Sequence, residues 1–136
     1  MKKLFLISTL IALVLLVSCK KNEDNNLLGS YQSVSESEWD ITLTLLENSN
    51  AEIVVENWEP GQYEKRAVEK KNARWINLRD KIVLQYDGKS DTLTYDRELS
   101  FSSLGKSGGS PGFLQSIPNY NGLFNDIPLW KLPHNF

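Results

Sequence analysis

From Gly29 onward, apolar and polar residues alternate along the chain. The clearest run is Trp-Asp-Ile-Thr-Leu-Thr-Leu at residues 39 to 45, and a second run extends from Ala51 to Trp58 after the turn cluster Asn48-Ser49-Asn50. A period of two is typical of a β-strand with one buried face, and it disfavours a helix. The pattern therefore predicts a β-hairpin in this part of the chain.

Turn signals divide the rest of this region into further strands. Pro60-Gly61 suits the centre of a type II turn, and Asp87-Gly88 suits a type I′ hairpin turn, because these residues tolerate the backbone dihedrals required. The remaining runs predict a first strand that begins at Ser30 and further strands at 63–70, 73–78, 82–86, 91–96 and 99–104. Lys71-Asn72 is the predicted turn between the strands at 63–70 and 73–78. The fold class is therefore all-β, a meander of about eight antiparallel strands that closes into a small barrel or half-barrel, since closure removes exposed edges.

The last part of the chain has a different character. Residues 105–112 are rich in Gly and Ser and predict a loop, whereas residues 113–136 are too apolar to be left in water. Pro118, Pro128 and Pro133 interrupt this stretch and argue against a long helix or a central strand. We expect an extended, irregular apolar tail packed on the barrel, either against its wall or over one end, with a short helical turn near residues 119–124.

The first residues have the pattern of a secretion signal. Lys2 and Lys3 precede an apolar run from Leu4 to Val17, and this run of about fourteen residues is short of the roughly 20 that a spanning helix needs. Leu16-Val17-Ser18-Cys19 resembles the lipobox of bacterial lipoprotein precursors. The resemblance implies cleavage before Cys19, diacylation of its thiol and acylation of its new amino group.

The alternative is an ordinary secretory signal with an incidental cysteine. Cys19 is, however, the only cysteine of the chain, and a lone free thiol would be unusual in a secreted protein. We therefore predict a signal peptide at residues 1–18, the lipidated cysteine with a polar tether at 19–28, a barrel domain at 29–104 and a Gly-rich loop with a packed tail at 105–136.

The tether carries further resemblances. Glu23-Asp24 after Lys20 is similar to the export signal of Bacteroidota surface lipoproteins, a lysine followed by two acidic residues, although Lys21 and Asn22 intervene. Lys20 after the cysteine favours the outer membrane under the enterobacterial sorting rule. These resemblances imply a lipid-anchored protein of the cell envelope at the outer membrane, on its periplasmic or its surface side. The membrane is then a partner through the N-terminal lipid.

Composition limits the function classes. Without Lys2 and Lys3 the mature chain has 13 basic and 17 acidic side chains, a formal charge of −4, so it lacks the basic excess of a nucleic-acid-binding domain. Its length suits one domain, which we expect to be monomeric. With Cys19 lipidated, no disulfide can form.

Candidate chemistry is sparse. The only histidine is His134, so we expect neither a transition-metal site nor a catalytic residue, no cofactor and no enzyme. The segment from Asp87 to Asp91 lacks the spacing of a calcium loop, and Glu36, Glu38 and Asp40 are interpreted as a solvated face. The lysines and arginines between Lys65 and Arg74 would make one hairpin tip locally basic, although Glu64 and Glu69 dilute that charge.

Strand parity predicts where a contact surface lies. The predicted meander places the loops at 36–38, 59–62, 79–80 and 97–98 at one end of the barrel, with Trp58 as their aromatic member. This possible contact rim comprises Glu36, Glu38, Trp58, Glu59, Arg79, Asp80, Arg97 and Glu98.

Taken together, the lipobox, the short meander and the Trp75 hairpin followed by Ile82-Val83-Leu84 resemble small lipocalin-like barrel lipoproteins, but the paired cysteines of the copper-homeostasis members are absent. The leading hypothesis is a non-enzymatic envelope lipoprotein that binds a protein partner or supports an envelope complex. The alternatives are a carrier of a lipophilic small molecule in the barrel, and an inhibitor or immunity lipoprotein that blocks a wall-degrading enzyme with a loop.

Overall fold

A computed structural model describes residues 27–33, 37–96 and 112–133, and within them the protein is a closed all-β barrel. Eight strands follow one another in chain order, each antiparallel to the next, and the last returns to the first. The predicted eight-stranded barrel is therefore confirmed. The strands are β1 (Gly29–Ser33), β2 (Trp39–Leu45), β3 (Asn50–Asn57), β4 (Ala67–Asn77), β5 (Lys81–Tyr86), β6 (Lys89–Asp96), β7 (Phe113–Ser116) and β8 (Pro128–Lys131), with one 3₁₀ turn at Tyr63–Lys65.

The tail supplies the two strands that close the barrel, which corrects the prediction of an irregular segment that only packs on its wall or end. Leu114 of β7 lies opposite Leu129 of β8, and β8 pairs with β1 through Tyr31 and Lys131. Pro128 is tolerated because it is the first residue of its strand. The strand predicted at 99–104 lies outside the described residues, and residue 104 is not the boundary of the barrel.

The predicted helical turn near residues 119–124 is also corrected. A single reverse turn occurs there, in which Gly122 donates its N–H to the carbonyl of Asn119 at 3.1 Å. The remainder of the connection between β7 and β8 is irregular.

β4 replaces two predicted strands. It runs unbroken for eleven residues, so the turn predicted at Lys71-Asn72 and the basic hairpin tip around it do not exist. Val54 pairs with Lys70 and Glu52 with Asn72, whereas the pairing of β4 with β5 covers only Arg74 to Asn77 among the described residues. The first half of β4 is charged because it extends past the neighbouring hairpin with both faces exposed, and not because the chain turns.

This continuous strand changes which loops share an end. We call the end at which Gly29 begins β1 the proximal end; it carries the turns at 46–49 and 78–80. We call the opposite end the distal end; it carries the loop at 58–66, the turn at 87–88 and the connection at 117–127. Removing one predicted turn therefore inverts the end assignment of every later loop.

The turns themselves follow their local sequence. Gly61 has φ of 73°, and Gln62 donates to the carbonyl of Glu59 at 2.9 Å, as expected of the Pro60-Gly61 turn. Asp87 and Gly88 have φ of 48° and 70°, which are the positive values of a type I′ turn.

Apart from the first half of β4, alternate side chains of the strands point into the barrel and fill it. The bulkiest of them are fully buried: Tyr31, Leu43, Leu45, Ile53, Ile82, Leu84, Leu93, Leu114 and Leu129. The buried polar residues lie towards the ends, with Ser33, Asp91 and Ser116 in the distal half and Lys131 in the proximal half. A packed interior of this kind stabilises the fold through burial of apolar area.

Candidate contact surface at the distal end

The structure brings together only part of the predicted rim. Trp58 donates its N–H to the carbonyl of Glu38 at 3.0 Å, and Glu59 follows in the same loop, so these three residues lie together at the distal end. Arg79 and Asp80 lie at the proximal end because of the missing turn in β4. Glu36, Arg97 and Glu98 lie outside the described residues.

The connection between β3 and β4, residues 58–66, forms what we call the aromatic loop. The rings of Trp58 and Tyr63 meet edge to face with centroids 5.0 Å apart. The guanidinium of Arg66 lies 4.6 Å from the centroid of the Tyr63 ring, and its Nε donates to Glu56 Oε1 at 2.6 Å. Aromatic, cation–π and ionic contacts of this kind each contribute modestly, but together they fix the loop.

The aromatic loop is ordered yet open to solvent. Tyr63 is 52% exposed. A shallow cleft of about 560 Å³ borders Trp58 and the segment from Gly61 to Lys65. The loop therefore offers a partly exposed aromatic pair in a preformed arrangement.

The connection between β7 and β8, residues 117–127, crosses the distal end, and we call it the distal lid. Phe124 of the lid is fully buried and lies edge-on to the ring of Tyr86, with centroids 6.4 Å apart. The lid thus closes the barrel by inserting an aromatic side chain into its mouth.

A buried carboxylate fastens the distal lid. Asp91 is 1% exposed and accepts hydrogen bonds from the Tyr86 hydroxyl, from Asn119 Nδ2 at 2.9 Å and from the Phe124 N–H at 3.3 Å. The Tyr86 hydroxyl in turn accepts the N–H of Leu123 at 2.5 Å. A buried charge is tolerated when donors surround it, and these donors come mainly from the lid.

Two further features show how closely the lid is fitted. Burial, together with the hydrogen bond to Asp91, raises the pKa of Tyr86 to about 12, so its hydroxyl remains a donor. A Cβ atom on Gly122 would lie 2.2 Å from Asp91 Oδ1, so no larger residue fits there without movement. Asp91 is therefore a structural anchor of the lid and is closed off from solvent.

The outer side of the lid is apolar at its tip. Tyr120 is 91% exposed and Ile117 is 41% exposed. Together with the aromatic loop they make the distal end rich in exposed aromatic groups. We refer to Trp58, Tyr63 and Tyr120 as the distal aromatics.

Sequence reasoning named Trp58 but missed Tyr63, Tyr120 and the Asp91 anchor. Asp91 lies two residues before Leu93 in β6, so both side chains point into the barrel. A carboxylate at an inward position of a strand indicates a buried polar anchor, and this was the signal that could have found Asp91. Exposure of Tyr63 and Tyr120 depends on the paths of two loops, which no local pattern encodes.

The charged groups weighed as sites are engaged in structural contacts. Lys71 Nζ lies 2.7 Å from Glu69 Oε1 and 2.8 Å from Asp87 Oδ2, so the carboxylates of Asp87 and Asp91 have separate protein partners. In the described ranges, no three His, Cys, Asp or Glu side chains are grouped where they could share a metal ion.

Comparisons with protein families, curated proteins and solved structures found no match to this chain. Within the part of the chain that the structure describes, no helix is long and apolar enough to span a membrane.

Proposed function

We propose that this protein is a lipid-anchored lipoprotein of the bacterial cell envelope, at the outer membrane, whose barrel binds a protein partner through the distal aromatics. The observation that carries the proposal is their placement. Tyr63 and Tyr120 are exposed, and Trp58 is half-buried beside them, at the end of the barrel opposite to the one at which β1 begins. The lipobox cysteine precedes β1 in the sequence.

The chemistry of the distal end suits a protein surface. Tyr and Trp are enriched in the energetically important centres of interfaces, because they bury a large area with few rotatable bonds. The ring contacts of Tyr63 and the Asp91 anchor beneath the lid hold two of the contact elements in place before binding. Such preorganisation lowers the entropic cost of association.

The packed interior favours this role over a small-molecule carrier. A carrier needs a cavity of a few hundred Å³ lined by apolar groups, whereas the inward side chains from Tyr31 to Leu129 fill the described barrel. Two clefts among the described residues are open to solvent. One borders the aromatic loop, and the other lies between β4, from Asn72 to Arg74, and the β5–β6 hairpin, from Gln85 to Ser90. The proposed role requires neither an enzyme activity nor a cofactor.

Photocrosslinking in the native host tests partner binding. A benzoylphenylalanine group in place of Tyr120 should give a discrete crosslinked product, and Tyr63→Ser in the same chain should weaken it severalfold. The same group in place of Thr94, an exposed residue on the barrel wall towards the proximal end of β6, is the matched control. An equal product from position 94, or no effect of Tyr63→Ser, would contradict the proposed surface.

Lipid attachment has its own test. Cells grown with an alkyne-bearing fatty acid should label the native protein, and Cys19→Ser should remove both the label and membrane association. A label that persists in the Cys19→Ser variant would overturn the anchor.

The aromatic loop also supports a second candidate function, an inhibitor of a wall-degrading enzyme. The loop leaves the barrel between β3 and β4 and carries Glu59, Tyr63 and Glu64 on an ordered turn. In a lysozyme assay, the native protein should inhibit and a variant with residues 59–65 replaced by Asn-Gly should not. Inhibition that survives this replacement would exclude the loop as the inhibitory element.

A further inference from the structure

The proximal end exposes large apolar side chains on its turns and the strand beside them. Leu46, which follows β2, is 46% exposed, and Leu78, which follows β4, is 55% exposed. Ile76, near the end of β4, is 44% exposed. Turns are normally polar, so apolar residues at two neighbouring turns call for a physical reason.

These residues lie on adjacent turns of fixed geometry. Trp75 donates its N–H to the carbonyl of Ser49 at 3.0 Å, which joins the end of β4 to the turn at 46–49. The indole Nε1 of Trp75 donates to the carbonyl of Leu46 at 2.9 Å. The apolar patch of Leu46, Ile76 and Leu78, the proximal patch, is therefore carried on well-supported backbone.

The chain that precedes the barrel reaches the same end. Gly29 pairs with Leu45, the neighbour of Leu46. Leu27 is buried, and its carbonyl accepts a hydrogen bond from the Tyr31 hydroxyl at 2.7 Å. The N-terminal segment is thus attached at the rim that carries the proximal patch.

The length of this segment limits where a lipid on Cys19 can lie. Seven residues separate Cys19 from Leu27 in the sequence, and a fully extended chain spans at most about 3.6 Å per residue, so the two residues are at most roughly 30 Å apart. A bilayer that held this lipid would stay within that reach of the proximal end, at a high effective concentration.

We propose that the proximal end docks on the bilayer that holds the lipid, with Leu46 and Leu78 in its interfacial region. This inference rests on the lipid anchor of the proposed function and adds the face by which the domain meets the membrane. Apolar side chains gain by leaving water for the headgroup–acyl boundary. Arg79 and Lys81 beside Leu78 are offset by Asp80 and Glu47, so the docking is apolar and does not require anionic lipid.

Docking of this kind would also orient the molecule. With the proximal end on the bilayer, the distal aromatics point away from it, since they lie at the other end of the barrel. The contact surface of the proposed function would then face the space in which a protein partner is met.

Site-directed spin labelling tests the orientation. In the lipidated protein the Cys19 thiol is blocked, so a single introduced cysteine would be the only one to take a nitroxide. Glu47→Cys reports on the proximal end and Tyr120→Cys on the distal end, both in phosphatidylcholine vesicles. For each label we compare the rate of collision with oxygen, which partitions into the bilayer, to the rate of collision with a water-soluble nickel chelate. This oxygen-to-nickel ratio should be severalfold higher for the label at 47 than for the label at 120. Raised salt should not change the ratio at 47.

Paired variants identify the side chains responsible. Leu46→Ser with Leu78→Ser should lower the ratio at position 47, whereas Ile117→Ser at the distal end should not. Equal ratios at 47 and 120 would overturn the docking, and so would spin–spin broadening at 47 that grows with protein density, because it would show that another copy covers the patch. The mass of the purified protein separates the two proposals: an unlipidated chain removes the anchor, whereas a lipidated chain with equal ratios removes only the docking.

Discussion

At the scale of single residues, the distal lid depends on a carboxylate that local sequence does not mark as special. Asp91 satisfies donors from Tyr86, Asn119 and Phe124 while shielded from water. An unsatisfied buried donor costs about 1–3 kcal/mol, so this anchor is worth more than one ordinary surface hydrogen bond. The position of the lid, and with it the exposure of Tyr120, follows from this contact.

Gly122→Ala tests the fit of the lid on Asp91. The new Cβ would approach Asp91 Oδ1 to 2.2 Å, and relieving such an overlap should cost about 1–3 kcal/mol of unfolding free energy. The midpoint of urea unfolding measures this loss. Gly61→Asn is the matched control, because Gly61 has positive φ with open space around it and Asn tolerates that conformation. Equal midpoints for Gly122→Ala and the native protein would contradict the described packing.

The raised pKa of Tyr86 predicts a loss of stability at high pH. The folded protein keeps this hydroxyl protonated up to about 12, whereas the unfolded chain ionises it near 10.0. Its contribution is therefore complete below pH 10 and is lost as the pH rises through the folded value. Tyr86→Phe should lower stability at neutral pH, through loss of the bond to Asp91, and should flatten the fall above pH 10.

The stability of Tyr86→Phe should still fall as the pH rises in the alkaline range, because burial also raises the pKa of Tyr31. Urea midpoints of both proteins across the alkaline range check this expectation. Parallel curves for Tyr86→Phe and the native protein would show that Tyr86 does not titrate as described.

At the scale of elements, β4 has two different sides along its first half. Trp75 directs its N–H towards Ser49, just before the start of β3, and backbone groups alternate between the two neighbours of an antiparallel strand. The N–H groups of Glu69 and Lys71 therefore face β3, while those of Val68 and Lys70 face the other edge of β4, where the pairing with β5 does not reach. The lysines there are of the kind that keeps an open edge from pairing with other chains.

A pair of proline variants tests this alternation. Lys70→Pro removes an N–H that has no partner in the described strands and should change the unfolding free energy little. Glu69→Pro removes a ladder hydrogen bond to Val55 and should cost about 1–3 kcal/mol. Both positions are exposed, so loss of side-chain burial cannot explain a difference. Glu69→Pro also removes the exposed ion pair with Lys71, but such a pair contributes at most about 1 kcal/mol. Equal losses in urea unfolding would contradict the assigned register.

The same elements show what the sequence could predict. The turns at Pro60-Gly61 and Asp87-Gly88 were predictable because positive φ is a local property of these residues. The length of β4 was not, because its charged half reflects the absence of a β5 neighbour, which is a non-local fact. β7 and β8 have four residues each, too few for a periodic signal.

The correctly predicted turns and the missed elements together explain which residues of the candidate surface were placed at the right end. Trp58 and Glu59 were placed correctly because the Pro60-Gly61 turn precedes the error in β4. Arg79 was assigned to the wrong end because one extra turn inverts every later loop. Tyr120 was missed because β7 and β8 were not predicted, and it is these two strands that make residues 117–127 a lid with Tyr120 on its outer side.

At the scale of the whole molecule, closure depends on the last described segment of the chain. β7 and β8 connect β6 to β1, and together with the lid they bring Leu114, Phe124 and Leu129 into the core at full burial. Without them, β1 and β6 would become open edges on a sheet whose apolar face lacks its cover. The barrel is therefore a single cooperative unit that begins at β1 and is completed only by β8.

This dependence distinguishes a closed barrel from a 29–104 domain carrying an added tail. A protein that stops at residue 111 should lose the cooperative urea transition and the fixed environment of Trp75, which is 3% exposed in the intact barrel. Near-ultraviolet circular dichroism and tryptophan fluorescence report both changes. Leu129→Ala in the full-length chain is the graded control, because its loss of about 2–5 kcal/mol should lower the midpoint while a cooperative transition remains. A cooperative transition in the shortened chain would show that the first six strands form a stable sheet, and that closure by the tail is secondary to the fold.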